Sequence, residues 1–201
     1  LTLSTSMNRL ATYGLTSVHD AGVGSQTIAA YKILSEKGPL PIRVNVMLAA
    51  SDPLYLDRLG EGYFRSDDGT LTINSVKIVG DGALGSRGAA LIEDYSDDSD
   101  NRGLLRYDDE RLEFLMRVAM NAGFQVNTHA IGDNANMKVL DNYERLISET
   151  DSRNLRHRIE HAQILRYEDI LRFAKLGVIP SMQATHATSD KNMAQDRIGE
   201  V

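Results

Sequence analysis

Phe124-Gln-Val-Asn-Thr-His129, followed at once by Ala-Ile-Gly-Asp133, is the stretch whose reading decides the fold. Successive side chains of a strand point to opposite faces, so Phe124, Val126 and Thr128 share one face and Gln125, Asn127 and His129 the other. The apolar face suits a covering layer of helices, and the polar face suits a lined cavity. Asp133 opens a helix expected to reach Ser148, with Met137, Leu140 and Ile147 apolar. A strand that delivers a titratable residue at its carboxyl end and passes straight into a helix is the repeating unit of an α/β barrel, which builds its active site there.

The same unit recurs on both sides. Six apolar runs precede a loop and a helix: Leu15–His19, Ile42–Ala49, Leu71–Val79, Phe124–His129, Arg156–His161 and Val178–Met182. Five of them close on polar or titratable groups, namely His19-Asp20, Lys77 with Asp81, His129, His161, and Gln183 with His186. The run Ile42–Ala49 does not. Helices are expected over Ser4–Tyr13, Ser25–Glu36, Asp52–Leu59 with Asp52 as its cap, Glu110–Asn121 and Tyr167–Leu176. This alternation gives a mostly parallel sheet. Eight units close a barrel and six do not. The expected architecture is therefore an incomplete TIM-type (β/α)8 barrel, a single domain over residues 1–201 that lacks its first and last βα units. Both ends, at Leu1 and Val201, read as cut.

Of the 201 residues, 42% are hydrophobic and 25% charged, as in an ordinary soluble domain. The net charge of −6, without a basic stripe, argues against nucleic acid as a partner. The basic cluster Arg153–Arg158 leads into a strand and reads as structural ion pairing. No apolar run approaches the roughly 20 residues of a membrane span, so no membrane partner is expected. Cysteine is absent, which removes disulfides and thiolate ligands and fits a cytoplasmic protein. The expected partner is a small-molecule substrate, and exposed strand edges favour a homo-oligomer.

Four of the five histidines close such runs. Imidazole is the commonest side-chain ligand of transition metals, so a metal-centred hydrolytic site is the first hypothesis. Alone, His129 would read as a hydrogen-bonded core histidine; beside the other strand ends it reads as a ligand. Parity sets Ser75, Lys77, Val79 and Asp81 on one face. Lys77 is either a snorkelling residue of an edge strand or a buried amine whose pKa is depressed. A neutral amine there could react with carbon dioxide to give an anionic carbamate, an oxygen ligand able to bridge two ions.

Parity also groups His157, Ile159 and His161, which sends Arg158 and Glu160 toward the helices, an unusual place for charges. His157, at the amino end of its strand, reads as structural. His186 lies past the strand on a loop and reads as a substrate contact. The long irregular stretch Gly80–Asp109, with its acidic run Glu93–Asp100, follows a strand end and reads as a substrate loop. Gly80-Asp-Gly82-Ala-Leu-Gly85 matches a dinucleotide fingerprint, but no helix pattern opens after it, and nucleotide binding is set aside.

Four motifs taken together, Val76–Arg87, Thr128–Asp133, Arg156–Gln163 and Ser181–His186, resemble the amidohydrolase superfamily, in the branch containing N-substituted formamide deformylases. The resemblance covers nearly the whole chain. It implies a (β/α)8 barrel with one or two divalent metals, often zinc, and hydrolysis of amide-like C–N bonds by a metal-activated water. It also implies that Lys77 is a carboxylated bridging ligand, that His129 and His161 are metal ligands, and that Arg87 and His186 touch substrate. Asp81 and Gln183 join them as candidate substrate-binding residues. The chain departs from the family pattern where a first-strand His-x-His pair and an eighth-strand aspartate are expected. The alternative reading is accordingly a truncated, non-catalytic α/β domain with a vacant or weak metal site.

Overall fold

The computed structural model describes residues 2–199; the chain ends at Leu1 and Val201 lie outside the described residues. Helix α1 (Thr2–Thr12) leads into strand β1 (Ser17–Val23), then α2 (Ser25–Ser35), β2 (Arg43–Ala49) and the short α3 (Tyr55–Gly60). A two-residue strand β3 (Phe64–Arg65) precedes β4 (Leu71–Val79). After a long loop come α4 (Asp109–Asn121), β5 (Gln125–Ala130), α5 (Asp133–Thr150), β6 (Arg158–His161), α6 (Tyr167–Leu176) and β7 (Ile179–Ser181). Two further helices, α7 (His186–Ser189) and α8 (Lys191–Ile198), follow β7. Strands β1, β2, β4, β5, β6 and β7 pair in that order and in parallel, while β3 pairs antiparallel with the start of β4. The sheet curls into a half-barrel with the helices on its convex side, the incomplete (β/α) barrel expected from the strand–helix alternation.

The core lies between sheet and helices, where Val44, Val46, Leu71, Val76, Val126 and Ile159 are fully or nearly buried. From α5, Tyr143 reaches back to the sheet. Its hydroxyl lies 3.0 Å from the Val126 carbonyl oxygen and 2.9 Å from that of Arg158, so one helix side chain ties β5 to β6. His157 stacks on the Tyr143 ring at 5.5 Å; it accepts the Val126 N–H at Nδ1 and donates from Nε2 to Ser152. That is the structural role its position suggested.

Two irregularities set which side chains face the lumen. Leu71 and Ile73 point to the helices, yet so do Val76 and Ile78, which requires a change of parity between them. The pairing of β4 with β2 slips at this point, where Asn74 is an extra residue. Such a bulge re-aims the residues beyond it, and here it turns Ser75 and Lys77 inward. The second irregularity corrects the expected parity of β6. His157 and Ile159 are buried on the helix side, and Arg158 and Glu160 face the lumen, where they form a bidentate pair at 2.8 and 3.0 Å. His161 nevertheless reaches the lumen, because His161 and Ala162 take left-handed backbone (φ 77° and 44°) that breaks the alternation.

Three other expectations are corrected. His19 does not close its strand: it lies within β1 opposite Asn45, lining the lower lumen with Asn45, Asn74, Gln125 and Arg158, while Tyr31 binds Asp20. Leu54 rather than Asp52 is the N-cap of α3; the Asp52 carboxylate accepts the Leu54 N–H at 2.8 Å in the turn before it, and reaches across to the neighbouring unit to accept the Ser25 N–H at 2.6 Å and the Ser25 hydroxyl. His186 begins α7 rather than lying on a loop, and α8 closes the polar stretch after it.

The loop from Gly80 to Asp108 is ordered around a small core of Leu84, Ala89, Leu91, Tyr95 and Ile131, against which Met193 and Ile198 of α8 pack. Close backbone approach at two glycines permits this. A Cβ on Gly103 would lie 1.9 Å from the Ala89 oxygen, and one on Gly132 would lie 2.0 Å from the Ala90 oxygen.

Two outcomes follow for stability. Gly132→Ala should lower the unfolding free energy by about 3 kcal/mol, the upper end of overpacking penalties; an unchanged urea midpoint would contradict the close approach. Burial depresses the His157 pKa from 6.5 to about 4. The unfolded chain then binds this proton first, so stability is full above 6.5 and is lost as pH falls from 6.5 through about 4. The loss amounts to about 3 kcal/mol. Urea titrations across that window should show a shallower decline in His157→Gln than in the wild type.

Candidate metal centre

The carboxyl ends of β4, β5 and β6 lie side by side. Val79 pairs with His129, and Ala130 with His161, so the two histidines occupy adjacent strand ends. Their rings meet edge to face with centroids 4.5 Å apart, and His186 approaches His161 at 6.1 Å. Lys77 enters the same lumen from β4, opposite Asn127, and its stem runs against Gly22. The amine makes no hydrogen bond or ion pair among the described residues. Burial pulls its pKa down from 10.5 to about 8, Glu160 opposing and Arg158 reinforcing the shift. Burial likewise lowers the His161 pKa; the Gln183 hydrogen bond opposes this, and the proximity of His129 and Lys77 adds to it. Lys77 is thus a lumen residue close enough to act on His161, not a snorkelling residue of an edge strand.

Among the described residues, the His129 and His161 imidazoles each have one nitrogen engaged and one bare. His129 Nε2 lies 3.3 Å from Asp81 Oδ1 and 3.4 Å from the Gly82 oxygen, which leaves Nδ1 without a protein partner. His161 Nδ1 lies 2.8 Å from Gln183 Oε1, which leaves Nε2 bare. Asn127, fully buried, donates to the Val76 oxygen while its own Oδ1 has no partner among the described residues, an unmet acceptor at the level of Lys77. Two imidazoles each with one nitrogen unengaged among the described residues, a buried amine and an unmet acceptor are a donor set that fits a divalent ion. Among the described residues, no three His, Cys, Asp or Glu side chains close on one point. Lys77, a residue type outside that set, enters the same lumen from β4.

The four residues expected on the substrate side divide into two pairs. Gln183 and His186 join the histidine cluster: Gln183 Oε1 also lies 3.0 Å from His186 Nε2, and His186 Nδ1 lies 2.5 Å from Asp190. Asp81 and Arg87 belong to the loop. Asp81 is buried and accepts the N–H groups of Ala90, Ile131 and Gly132 at 2.8–3.0 Å. Arg87 pairs bidentately with Asp97, a residue that Arg197 also holds. The sequence reading missed Asp190 as the partner of His186. Spacing alone could have found it, since residues four apart share one face of a helix.

A family profile described as "Amidohydrolase family" matches residues 2–201. "Protein LONG AFTER FAR-RED 3" of Arabidopsis thaliana is 39% identical over 129 residues, 64% of this chain and 22% of that protein. "Putative amidohydrolase YtcJ" of Bacillus subtilis (strain 168) is 34% identical over 198 residues, 94% of this chain and 35% of that protein. An uncharacterized metal-dependent hydrolase from Pyrococcus furiosus superposes with a TM-score of 0.85 at 32% identity, covering 98% of this chain and 40% of that one. The chain therefore spans about a fifth to two-fifths of the relatives it matches. With the match running through the strand ends that carry Lys77, His129 and His161, this chain belongs to the amidohydrolase family.

Proposed function

We propose that the chain supplies part of the centre of a metal-dependent hydrolase acting on amide-like C–N bonds, with Lys77, His129 and His161 holding one or two divalent ions, zinc in the first instance. The observation that supports this most is the edge-to-face approach of the His129 and His161 rings at 4.5 Å beside the buried Lys77, with Nδ1 of His129, Nε2 of His161 and the amine lacking partners among the described residues. Attack of the neutral amine on carbon dioxide, with loss of one proton, makes Lys77 an anionic oxygen ligand. A divalent ion bound there supplies Lewis-acid polarisation of a carbonyl and a water that is nucleophilic near neutral pH.

The remaining roles fall to the chain's own groups. Asp81 and the Gly82 carbonyl orient His129. Asp81 and Arg87 act on the substrate side through the loop they hold, and Gln183 with His186 through the rim beside His161. The Arg158–Glu160 pair closes the lumen below the ligands, so charge in that layer is balanced before substrate arrives. A cysteine-free sequence supports a cytoplasmic setting, and the parallel sheet's edges support association of copies. Among the described residues no helix is long and apolar enough to cross a membrane.

A second reading, a folded α/β domain with a vacant or weak metal site, is favoured by the lack of a three-residue His, Cys, Asp or Glu group among the described residues. Metal content separates the two. The first reading expects at least one zinc per chain after dialysis against buffered zinc, and far less in Lys77→Ala, while Lys138→Ala, which breaks a surface pair with Asp109, retains it. Equal zinc in both variants would refute the ligand role of Lys77. Free zinc at 100-fold above its Kd should raise the unfolding free energy by about 2.7 kcal/mol, reversibly with chelator. No thermal shift on adding zinc would favour the vacant domain.

A further inference from the structure

We infer that Gln183 is a positioning residue whose amide oxygen accepts the Nδ1 proton of His161 and thereby presents the Nε2 lone pair of that ring to the centre. The inference rests on the metal-centre reading given above. Gln183 Oε1 lies 2.8 Å from His161 Nδ1 and 3.0 Å from His186 Nε2. An amide oxygen only accepts, so the His161 Nδ1 hydrogen-bonded to it carries the proton. A neutral imidazole has one N–H, and with Nδ1 protonated its Nε2 is a bare donor atom. The same oxygen also faces His186 Nε2, and the other nitrogen of that ring, Nδ1, faces the Asp190 carboxylate.

The reversed amide would undo this arrangement. With its NH2 group toward the rings, Gln183 would donate to both, the His161 proton would move to Nε2, and the lone pair needed for a metal would be lost. The orientation of one amide therefore decides whether His161 can serve as a ligand. His129 needs the opposite tautomer and is given it from the other side, its Nε2 facing Asp81 Oδ1 and the Gly82 carbonyl. The two imidazoles are thus fixed by different segments: the loop after β4 for His129, and the segment after β7 for His161. His161 needs such a partner because its left-handed backbone removes it from the regular pleat that would otherwise fix its direction. Gln183 is half-buried, so it can be replaced without opening the core.

Nitrogen-15 NMR of the histidine side chains in metal-free protein, at mildly alkaline pH, tests the assignment in the wild type, Gln183→Glu and Gln183→Leu. His161 should be the Nδ1–H tautomer in the wild type and in Gln183→Glu, which keeps an accepting oxygen. It should shift toward Nε2–H, the form free histidine favours, in Gln183→Leu. Zinc affinity should fall about 10–100-fold in Gln183→Leu and recover in Gln183→Glu. Gln183→Met repeats the measurement if the leucine variant misfolds. A proton on Nε2 of His161 in the wild type, or a tautomer unchanged by Gln183→Leu, overturns the inference. Zinc bound equally by the wild type and Gln183→Leu also overturns it while leaving the metal reading standing. A tautomer that follows Gln183 in a protein that takes up no zinc supports the positioning role and overturns the metal reading alone.

Discussion

The arrangement depends first on a single buried carboxylate. Asp81, at the exit of β4, accepts N–H groups from Ala90 in the loop and from Ile131 and Gly132 at the turn between β5 and α5. Three segments distant in sequence are thereby tied at one point. Without that acceptor, three buried N–H groups would be left unmet, at about 1–3 kcal/mol each. The same carboxylate faces His129 Nε2, so the bond set that orders the loop also sets the direction of an imidazole. Order in the loop and readiness of the site are one property here.

Backbone irregularity does the rest of the aiming. A regular β4 would point Lys77 into the helix layer with Leu71 and Ile73, and the extra residue at Asn74 turns it around. A regular β6 would leave His161 on the face of Ile159, and two left-handed residues bring it to the lumen. Strained backbone of this kind costs of order 1–3 kcal/mol per residue and persists where the surroundings determine it. Around His161 those surroundings are the His129 ring and Gln183. The charges that a regular strand places inside, Arg158 and Glu160, neutralise one another and reach Ser181 on the next strand.

Much of this was legible in the sequence because period-two patterns and helix stops carry over directly. Leu71–Val79 and Tyr167–Leu176 have the bounds the pattern gives, and Gly177 closes α6 in left-handed backbone as glycine does. What the pattern could not carry was any departure from regularity. Parity counting assumes one unbroken pleat, so it put Arg158 and Glu160 on the wrong face and could not explain how His161 escapes it. It likewise set Asp81 in the cavity with Lys77, since nothing local to Gly80–Asp81 announces that N–H groups from residues some ten and fifty positions away will converge on it. The reading of Asp52 was incomplete for the same reason: besides the Leu54 N–H beside it, its carboxylate holds Ser25 in another unit.

The pairing of Asp97 with both Arg87 and Arg197 has a mechanical consequence. Arg87 belongs to the loop that orients His129, and Arg197 belongs to α8, which continues the segment bearing Gln183, His186 and Asp190. The two segments are therefore joined at one acidic residue. Any displacement of one segment relative to the other must break the ion pairs at Asp97, or else carry both segments together.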